Sequence, residues 1–380
     1  MRKGWEIKKL GDICELYQPK TISSKEMVIN GEYPVFGANG IIGTFDKYNH
    51  EEPQLLITCR GATCGSVNIS LPKSWINGNA MVVRPVDNTL NLKFVEYLFR
   101  GGIDITKIIT GAAQPQITRQ NLSPILIAYP KSIKEQQEIV SMLDDAFESI
   151  ERAKSNAEQN LKNAKELFES YLNDVFESKD KEWVIEPFEK VCNLVGGSQP
   201  SKDDFIYEPK NGYIRLIQVR DYRTSKFITY IPKEKARRFC SENDIMIGRY
   251  GPPIFGIFKG LEGAYNVALM KAEVNNKLCD SDYFYWFLKT NKLRQFVEKS
   301  SKRAAGQDGI RKELLDKYPV PFPKSIEKQK SIVRKIEILT NKTKKLESIY
   351  QDKLNDLEEL KKSILQKAFN GELKTSKISA

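Results

Sequence analysis

Pro130-Lys-Ser-Ile-Lys-Glu-Gln-Gln-Glu-Ile-Val140 returns 193 residues later as Pro323-Lys-Ser-Ile-Glu-Lys-Gln-Lys-Ser-Ile-Val333. The same shift carries Ser170-Tyr-Leu-Asn-Asp-Val-Phe176 onto Ser363-Ile-Leu-Gln-Lys-Ala-Phe369 without a gap. Just upstream, Gly111-Ala-Ala-Gln-Pro-Gln-Ile117 lies over Ala304-Ala-Gly-Gln-Asp-Gly-Ile310, and a shift of 178 sets Lys3-Gly-Trp5-Glu-Ile7 and Cys14 over Lys181-Glu-Trp183-Val-Ile185 and Cys192. Self-similarity on this scale marks a duplicated architecture. It divides the chain into a globular segment 1–130, a helical arm 131–180, a second globular segment 181–323, a second arm 324–373 and a short tail 374–380.

The arms follow a three-four apolar spacing, the pattern of a coiled-coil seam. In the first, Ile139, Leu143, Ile150 and Leu167 fall on it. In the second, Ile332, Ile336, Leu339, Leu346, Tyr350, Leu357, Leu360 and Ile364 do. Neither run contains a proline, and Pro130 and Pro323 stand just ahead as helix-start signals. Arms joined through a globular segment pair most simply antiparallel. The 33 residues from Ile139 to Tyr171 would span roughly 50 Å at 1.5 Å per residue.

Both globular segments read as mixed α/β modules. Leu55–Cys59, Met81–Arg84 and Pro124–Tyr129 are apolar runs bounded by Gly, Asn and Pro, as are Tyr213–Val219, Asp244–Gly248 and Tyr318–Phe322. One helix is expected in each, at Leu92–Phe99 and at Asp282–Lys289. The fold class is therefore α+β: two mixed α/β domains joined by two long helices forming an antiparallel coiled coil, with an internal pseudo-two-fold repeat.

The formal charge of +11 on 380 residues is uneven. Residues 1–130 carry net +3, 131–180 net −5, 181–323 net +7 and 324–380 net +6. An acidic arm beside a basic arm favours their pairing with each other. A basic chain also invites a nucleic-acid partner. No apolar run approaches the ~20 residues that cross a bilayer, and the first residues lack a signal-peptide core, so a cytoplasmic address and no membrane partner are expected. Six dispersed cysteines and one histidine, His50, disfavour a disulfide framework, a metal site and histidine-based catalysis.

Val35-Phe36-Gly37-Ala38-Asn39-Gly40 has the outline of a loop that cradles S-adenosylmethionine, but its flanks read as a turn between two strands. No Gly-x-x-x-x-Gly-Lys-Ser/Thr loop is present, which excludes ATP-driven translocation by this chain. The positive signals are loops rich in Arg, Lys, Gln, Asn and Ser, which suit phosphates and base edges. In the first globular segment these place Lys20, Ser23, Ser24, Lys25, Asn39, Arg60, Gln114, Gln116 and Arg119 as candidate DNA contacts. In the second they place Ser198, Gln199, Ser201, Lys202, Arg220, Arg223, Arg249, Tyr250, Arg303 and Gln307. Catalytic and metal-ligating residues are expected to be none.

The layout resembles the DNA-specificity (S) subunit of type I restriction–modification systems, and the resemblance covers nearly the whole chain. It is carried by the Trp-based opening of each half, by Tyr33-Pro-Val-Phe-Gly-Ala-Asn-Gly-Ile-Ile-Gly43, and by the doubled Pro-Lys-Ser-Ile with its trailing Gln. Ser363-Ile-Leu-Gln-Lys-Ala-Phe-Asn-Gly-Glu-Leu373 closes the chain in the same style. The first arm departs from that closing signature with Asn173-Asp-Val-Phe-Glu-Ser, and the second Gln loop departs with Gln307-Asp-Gly-Ile310.

The resemblance implies two target-recognition domains, each reading one half of a split, asymmetric site in double-stranded DNA. It implies helices that fix the unread spacer and dock two modification subunits, which methylate adenine N6 with S-adenosylmethionine. Restriction subunits using ATP and magnesium would complete a nuclease, and this chain would bind no cofactor and be no enzyme. The alternatives are a DNA adenine methyltransferase with fused recognition domains, resting on Phe36–Gly40, and a coiled-coil scaffold without DNA function.

Overall fold

The structure, a computed structural model, describes residues 4–111, 114–177, 182–250, 254–301 and 309–373. The chain forms two compact units, Met1–Glu158 together with Gln351–Ala380, and Gln159–Tyr350. The unit boundaries cross the two long helices, Ile133–Phe176 and Ile326–Phe369, so each unit takes part of both. Each helix starts for the same local reason. A proline ends a strand, and the next-but-one serine, Ser132 or Ser325, caps the first turn by accepting from the amide of Glu135 or Lys328 at 3.4 Å. The second helix stops at Gly371, whose φ of +74° takes the left-handed geometry of a C-terminal cap.

In the first unit a two-stranded ribbon, Trp5–Lys9 with Leu126–Pro130, sets Trp5 opposite Pro130. An antiparallel sheet orders Cys14–Tyr17, Ala80–Pro85, Leu55–Thr58 and Val67–Ile69. A smaller sheet orders Gly40–Phe45, Tyr33–Gly37 and Trp75–Ile76, the last pair parallel. The second unit repeats the plan. Its ribbon, Trp183–Pro187 with Pro319–Pro323, sets Trp183 opposite Pro323, and its main sheet orders Cys192–Gly196, Leu269–Val274, Ile245–Gly248 and Ile257–Phe258. Its smaller sheet orders Tyr230–Pro232, Tyr213–Ile217, Gly263–Tyr265 and Phe239–Cys240, again with one parallel pair at its centre. Three prolines in one strand are tolerated because the ribbon has only two strands and needs few ladder amides.

Both cores are completed by the long helices. In the first unit Ile139, Leu143, Phe147 and Ile150 from the first helix, with Leu365, Ala368 and Phe369 from the second, join the cluster around Phe94 and Leu122. Phe369 meets Phe94 edge to face at 5.3 Å. The helix Leu92–Tyr97 widens into a π turn at Leu98–Gly102, where Gly101 and Gly102 leave room for this approach. A Cβ there would stand 2.6 Å from Leu365 and 2.7 Å from Phe369. In the second unit Leu172 and Phe176 with Val333 and Ile336 close the core around Tyr283, Phe284 and Phe287 of the helix Ser281–Leu288. A further helix, Asn291–Ser301, was not expected from the sequence pattern.

Within the first unit the two long helices run antiparallel. Lys154 pairs with Glu358 at 2.7 Å and Lys361 with Glu151 at 3.2 Å, so one number rises as the other falls. The seam differs from the expected one at three positions. Ile139, Leu143, Ile150 and Ile336 are buried, and Ile332, Leu339, Tyr350, Leu357 and Ile364 are half-buried. Leu167, Leu346 and Leu360 are 68%, 43% and 47% exposed. A strict heptad drifts about 20° per repeat from a straight α-helix, so the packed face slips to neighbouring positions. Phe168 is half-buried in place of Leu167, Glu347 in place of Leu346 and Lys361 in place of Leu360, while Thr343 on the expected spacing is buried. The Lys361 stem crosses the Phe147 ring, with its ammonium 5.3 Å from the ring centroid.

His50 is a buried structural residue of the first unit. Asn49 Oδ1 lies 2.6 Å from its Nδ1, and Oδ1 is an acceptor, so Nδ1 carries the proton; Nε2 then accepts from the Tyr17 hydroxyl at 2.7 Å. Asn49 also exchanges hydrogen bonds with the Ile76 backbone, which ties this segment to the small sheet. Burial, with Arg84 nearby, holds the imidazole down at about 4.

Two predictions arise here. Phe369→Ala should destabilise the first unit by about 3 kcal/mol in urea denaturation followed by fluorescence, whereas Leu346→Lys and Leu360→Lys should each change stability by less than about 0.5 kcal/mol. The His50 imidazole is held at about 4 in the folded protein, below the 6.5 of a free histidine, so the unfolded chain binds the extra proton between them. Its contribution is full above that window and fades as pH falls through it. His50→Gln should flatten the denaturation midpoint over the same pH range; a slope equal to wild type would refute the assignment.

Candidate nucleic-acid interface

The first candidate loop, 18–30, is held by buried Asn77, which accepts from the Ile22 amide at 2.9 Å and donates to the Ile22 carbonyl at 3.2 Å. Gln18 donates to the Gly78 carbonyl and Gly78 donates to Thr21, so the base of the loop is closed. Lys20, Ser24 and Lys25 are exposed beyond it. Ser23 is spent on the loop itself: its amide and hydroxyl both donate to Glu26, at 2.7 and 2.8 Å, and lower that carboxyl's pKa.

Asn39 sits exposed at the tip of the hairpin Tyr33–Phe45, beside Gly40 with its φ of +116°, and accepts from Asn68 at 3.3 Å. The glycine-rich stretch therefore joins two strands and opens no helix.

Arg60, Gln114 and Gln116 share one edge. The strand Leu55–Thr58 continues to Arg60, which forms a β-bridge with Gln116. Ile117 donates to the Cys59 carbonyl at 2.9 Å and Gly61 to the Pro115 carbonyl at 3.2 Å. Gln116 also exchanges backbone bonds with Thr110. Arg60 and Gln114 are exposed there, and Gln116 is half-buried. Arg119 opens a short helix capped by Thr118 and faces a cleft of about 430 Å³ with Arg84 and Glu15.

The second unit repeats the edge with different side chains. The strand Ile245–Gly248 continues to Tyr250, which bridges to Gly309, the residue 193 after Gln116. Tyr250, not Arg249, therefore stands where Arg60 stands. The Arg249 guanidinium lies 5.0 Å from the centroid of the Tyr250 ring. Arg220 is exposed, donates to Thr229 at 3.3 Å and lies 5.6 Å from the centroid of the Phe227 ring. Its loop is fixed by Gln218, whose amide donates to Asp221 at 2.9 Å and whose side chain donates to Thr229 at 3.2 Å. Asp221 is buried, which raises its carboxyl pKa. Arg223 is exposed in the same loop.

Gln199 and Lys202 are exposed, and Ser201 caps the short turn Lys202–Asp204 by accepting from the Asp203 amide. Ser198 is half-buried and donates its amide to the Tyr265 carbonyl at 3.3 Å. The expected contacts Arg303 and Gln307 lie outside the described residues. Among the described residues no group of three His, Cys, Asp or Glu side chains is set to hold a metal ion, and no helix is long and apolar enough to cross a membrane.

Sequence reading missed Asn77, which holds its loop across 55 residues, Gln218 and Thr229, which hold theirs across 11, and Arg84, which lines the cleft beside Arg119. Gln136 and Gln329 belong to the repeated Pro-Lys-Ser-Ile motif, which by itself assigns them no role. Their recurrence at matching places was the available signal.

The sequence profile of the Type I restriction modification DNA specificity domain matches the chain twice, over residues 2–161 and 180–358. The chain is 23% identical over 410 residues to the Type I restriction enzyme EcoDI specificity subunit of Escherichia coli, a match covering 97% of this chain and 88% of that one. It is 25% identical over 192 residues to the MjaVIII specificity subunit of Methanocaldococcus jannaschii, covering 50% of this chain and 42% of the relative. It is 26% identical over 170 residues to the EcoprrI specificity subunit of Escherichia coli, covering 42% of each. The match thus spans about two fifths of the length of those last two relatives.

In fold the chain is similar to one solved in work on complex assembly and conformational transition of the type I R-M system, with a TM-score of 0.80 at 16% identity over 98% of this chain and 99% of that one. It is also similar to the HsdS subunit from Thermoanaerobacter tengcongensis, with a TM-score of 0.63 at 17% identity over 98% of both. A profile matched once on each repeat, across most of the sequence, means that the chain belongs to the family of type I restriction modification DNA specificity domains.

Proposed function

We propose that this chain is the DNA-specificity subunit of a type I restriction–modification complex. Each recognition domain reads one half of a bipartite, asymmetric site in double-stranded DNA. The long helices set the unread spacer and dock two modification subunits. Those subunits bring S-adenosylmethionine and methylate adenine N6; restriction subunits bring ATP and magnesium. The chain itself contributes recognition and no catalytic residue, and it works in the cytoplasm.

One observation carries this reading: the same strand edge occurs in both units, offering Arg60 and Gln116 in one and Tyr250 and Gly309 in the other. A repeated scaffold with unlike side chains at the same place is what two different half-sites require. Arginine suits guanine or phosphate, glutamine suits adenine, and the half-buried Tyr250 offers a ring edge or a hydroxyl. The methyltransferase alternative loses its one support, since Phe36–Gly40 forms a hairpin turn.

The test is a genome-wide map of methylated adenines in cells carrying this chain with its modification subunits. Arg60→Ala should relax one half-site and Arg220→Ala the other, each weakening binding to the affected half by about 1–3 kcal/mol. Equal loss at both halves, or a continuous rather than split site, would overturn the reading. Lengthening both helices by whole turns should change the spacer and leave the half-site sequences as they are.

A further inference from the structure

Gln136 and Gln329 are fully buried, one in the first turn of each long helix, 193 residues apart. Gln136 Oε1 accepts from the Asn91 amide at 2.8 Å, and its Nε2 donates to the carbonyls of Thr89 at 2.9 Å and Pro130 at 2.8 Å. Gln329 Oε1 accepts from the Asp280 amide at 2.6 Å, and its Nε2 donates to the carbonyls of Leu278 at 3.1 Å and Pro323 at 2.8 Å. Asn91 and Asp280 are the N-caps of Leu92–Tyr97 and Ser281–Leu288, the recognition-domain helices against which the long helices pack. In each unit one amide thus ties the long helix to the end of the ribbon, to the loop before the domain helix and to that helix's cap.

Apolar packing alone holds a helix against a domain without choosing its angle sharply, because the hydrophobic effect is non-directional. Three hydrogen bonds from one fully buried amide, one of them buried and two part-buried, do choose it, since turning the helix would leave the amide's own donors and acceptor unpaired in the core. We propose that Gln136 and Gln329 are positioning residues that fix the rotation of each recognition domain about the long helix in its own unit. Through that rotation they fix the register at which the domain meets its half-site. The second step rests on the proposed function; the first stands on the unit's own geometry.

The rotation is measured on the full chain by pulsed electron paramagnetic resonance, with spin labels on Ile41→Cys in the small sheet and Glu148→Cys on the long helix, both exposed and both in the first unit. Half-buried Cys64 is changed to Ser; the other five native cysteines are buried. Gln136→Met keeps the side chain's length and removes its hydrogen bonds. It should broaden the label-to-label distance distribution about twofold. Gln136→Glu keeps the acceptor and loses the donors, and should give an intermediate width. An unchanged width in folded Gln136→Met protein would overturn the proposal, as would failure of both variants to fold, because the amide would then act on stability alone.

The register is read by mapping methylated adenines with Gln136→Met and Gln329→Met chains in the complex. Methylation at unchanged half-sites with spacers one base pair longer or shorter should rise at least about tenfold. A broadened distance distribution with the spacer still strict would overturn the link to register. A wild-type chain that directs no split methylation pattern would overturn the proposed function and leave the distance measurement to judge the clamp.

Discussion

Phe369 packing on Phe94, and Phe176 packing on Tyr283 and Phe287, express the constraint on which both units depend. Neither globular segment closes its core with its own consecutive residues. The first needs Leu365, Ala368 and Phe369 from the end of the second helix, and the second needs Leu172 and Phe176 from the end of the first. The repeated Ser-x-Leu-x-x-x-Phe of the two helix ends is therefore a core motif. The glycines at 101 and 102 show how close the approach is, because any side chain there would displace Leu365 or Phe369. A segment that completes a core cannot drift in sequence, which is why the helix ends repeat while the loops do not.

Polar groups then give these greasy contacts direction. The glutamine of each first turn, the serine cap two residues after each proline and the Trp-to-Pro register of each ribbon recur with the same partners in both units. In the first unit the pairs Lys154–Glu358 and Lys361–Glu151 add charge matching between the helices, although exposed pairs of this kind contribute only about 0–1 kcal/mol each. Their value lies in setting which residues face each other.

How much of this was legible follows from range. The strands Leu55–Thr58 and Ile245–Gly248, the helix starts and the duplication are written in local pattern, and reading them needed no knowledge of distant contacts. The seam was half legible: the helices were plain, but a heptad template put Leu167, Leu346 and Leu360 inward where the real period half-buries Phe168, Glu347 and Lys361. The loop supports were illegible. Asn77 reaches back 55 residues to Ile22, and no local pattern marks an asparagine that will do so. Ser23 illustrates the opposite error, since a polar residue in a basic loop looked free and instead closes its own turn on Glu26.

The shared strand edge also explains how such a scaffold tolerates different side chains at one place. At Arg60, which is exposed, the bridge partner is half-buried Gln116. At Tyr250 the partner is Gly309, where an added Cβ would stand 3.1 Å from the tyrosine ring. The ring therefore occupies space that a side chain at 309 would need. At this place the bulky ring on one strand faces glycine on the other, and the arginine faces glutamine. Under the proposed function, unlike pairs at this one place suit unlike half-sites. The departure of Gln307-Asp-Gly-Ile310 from the first repeat's Gln114-Pro-Gln-Ile117 puts the glycine at the second position of that pair.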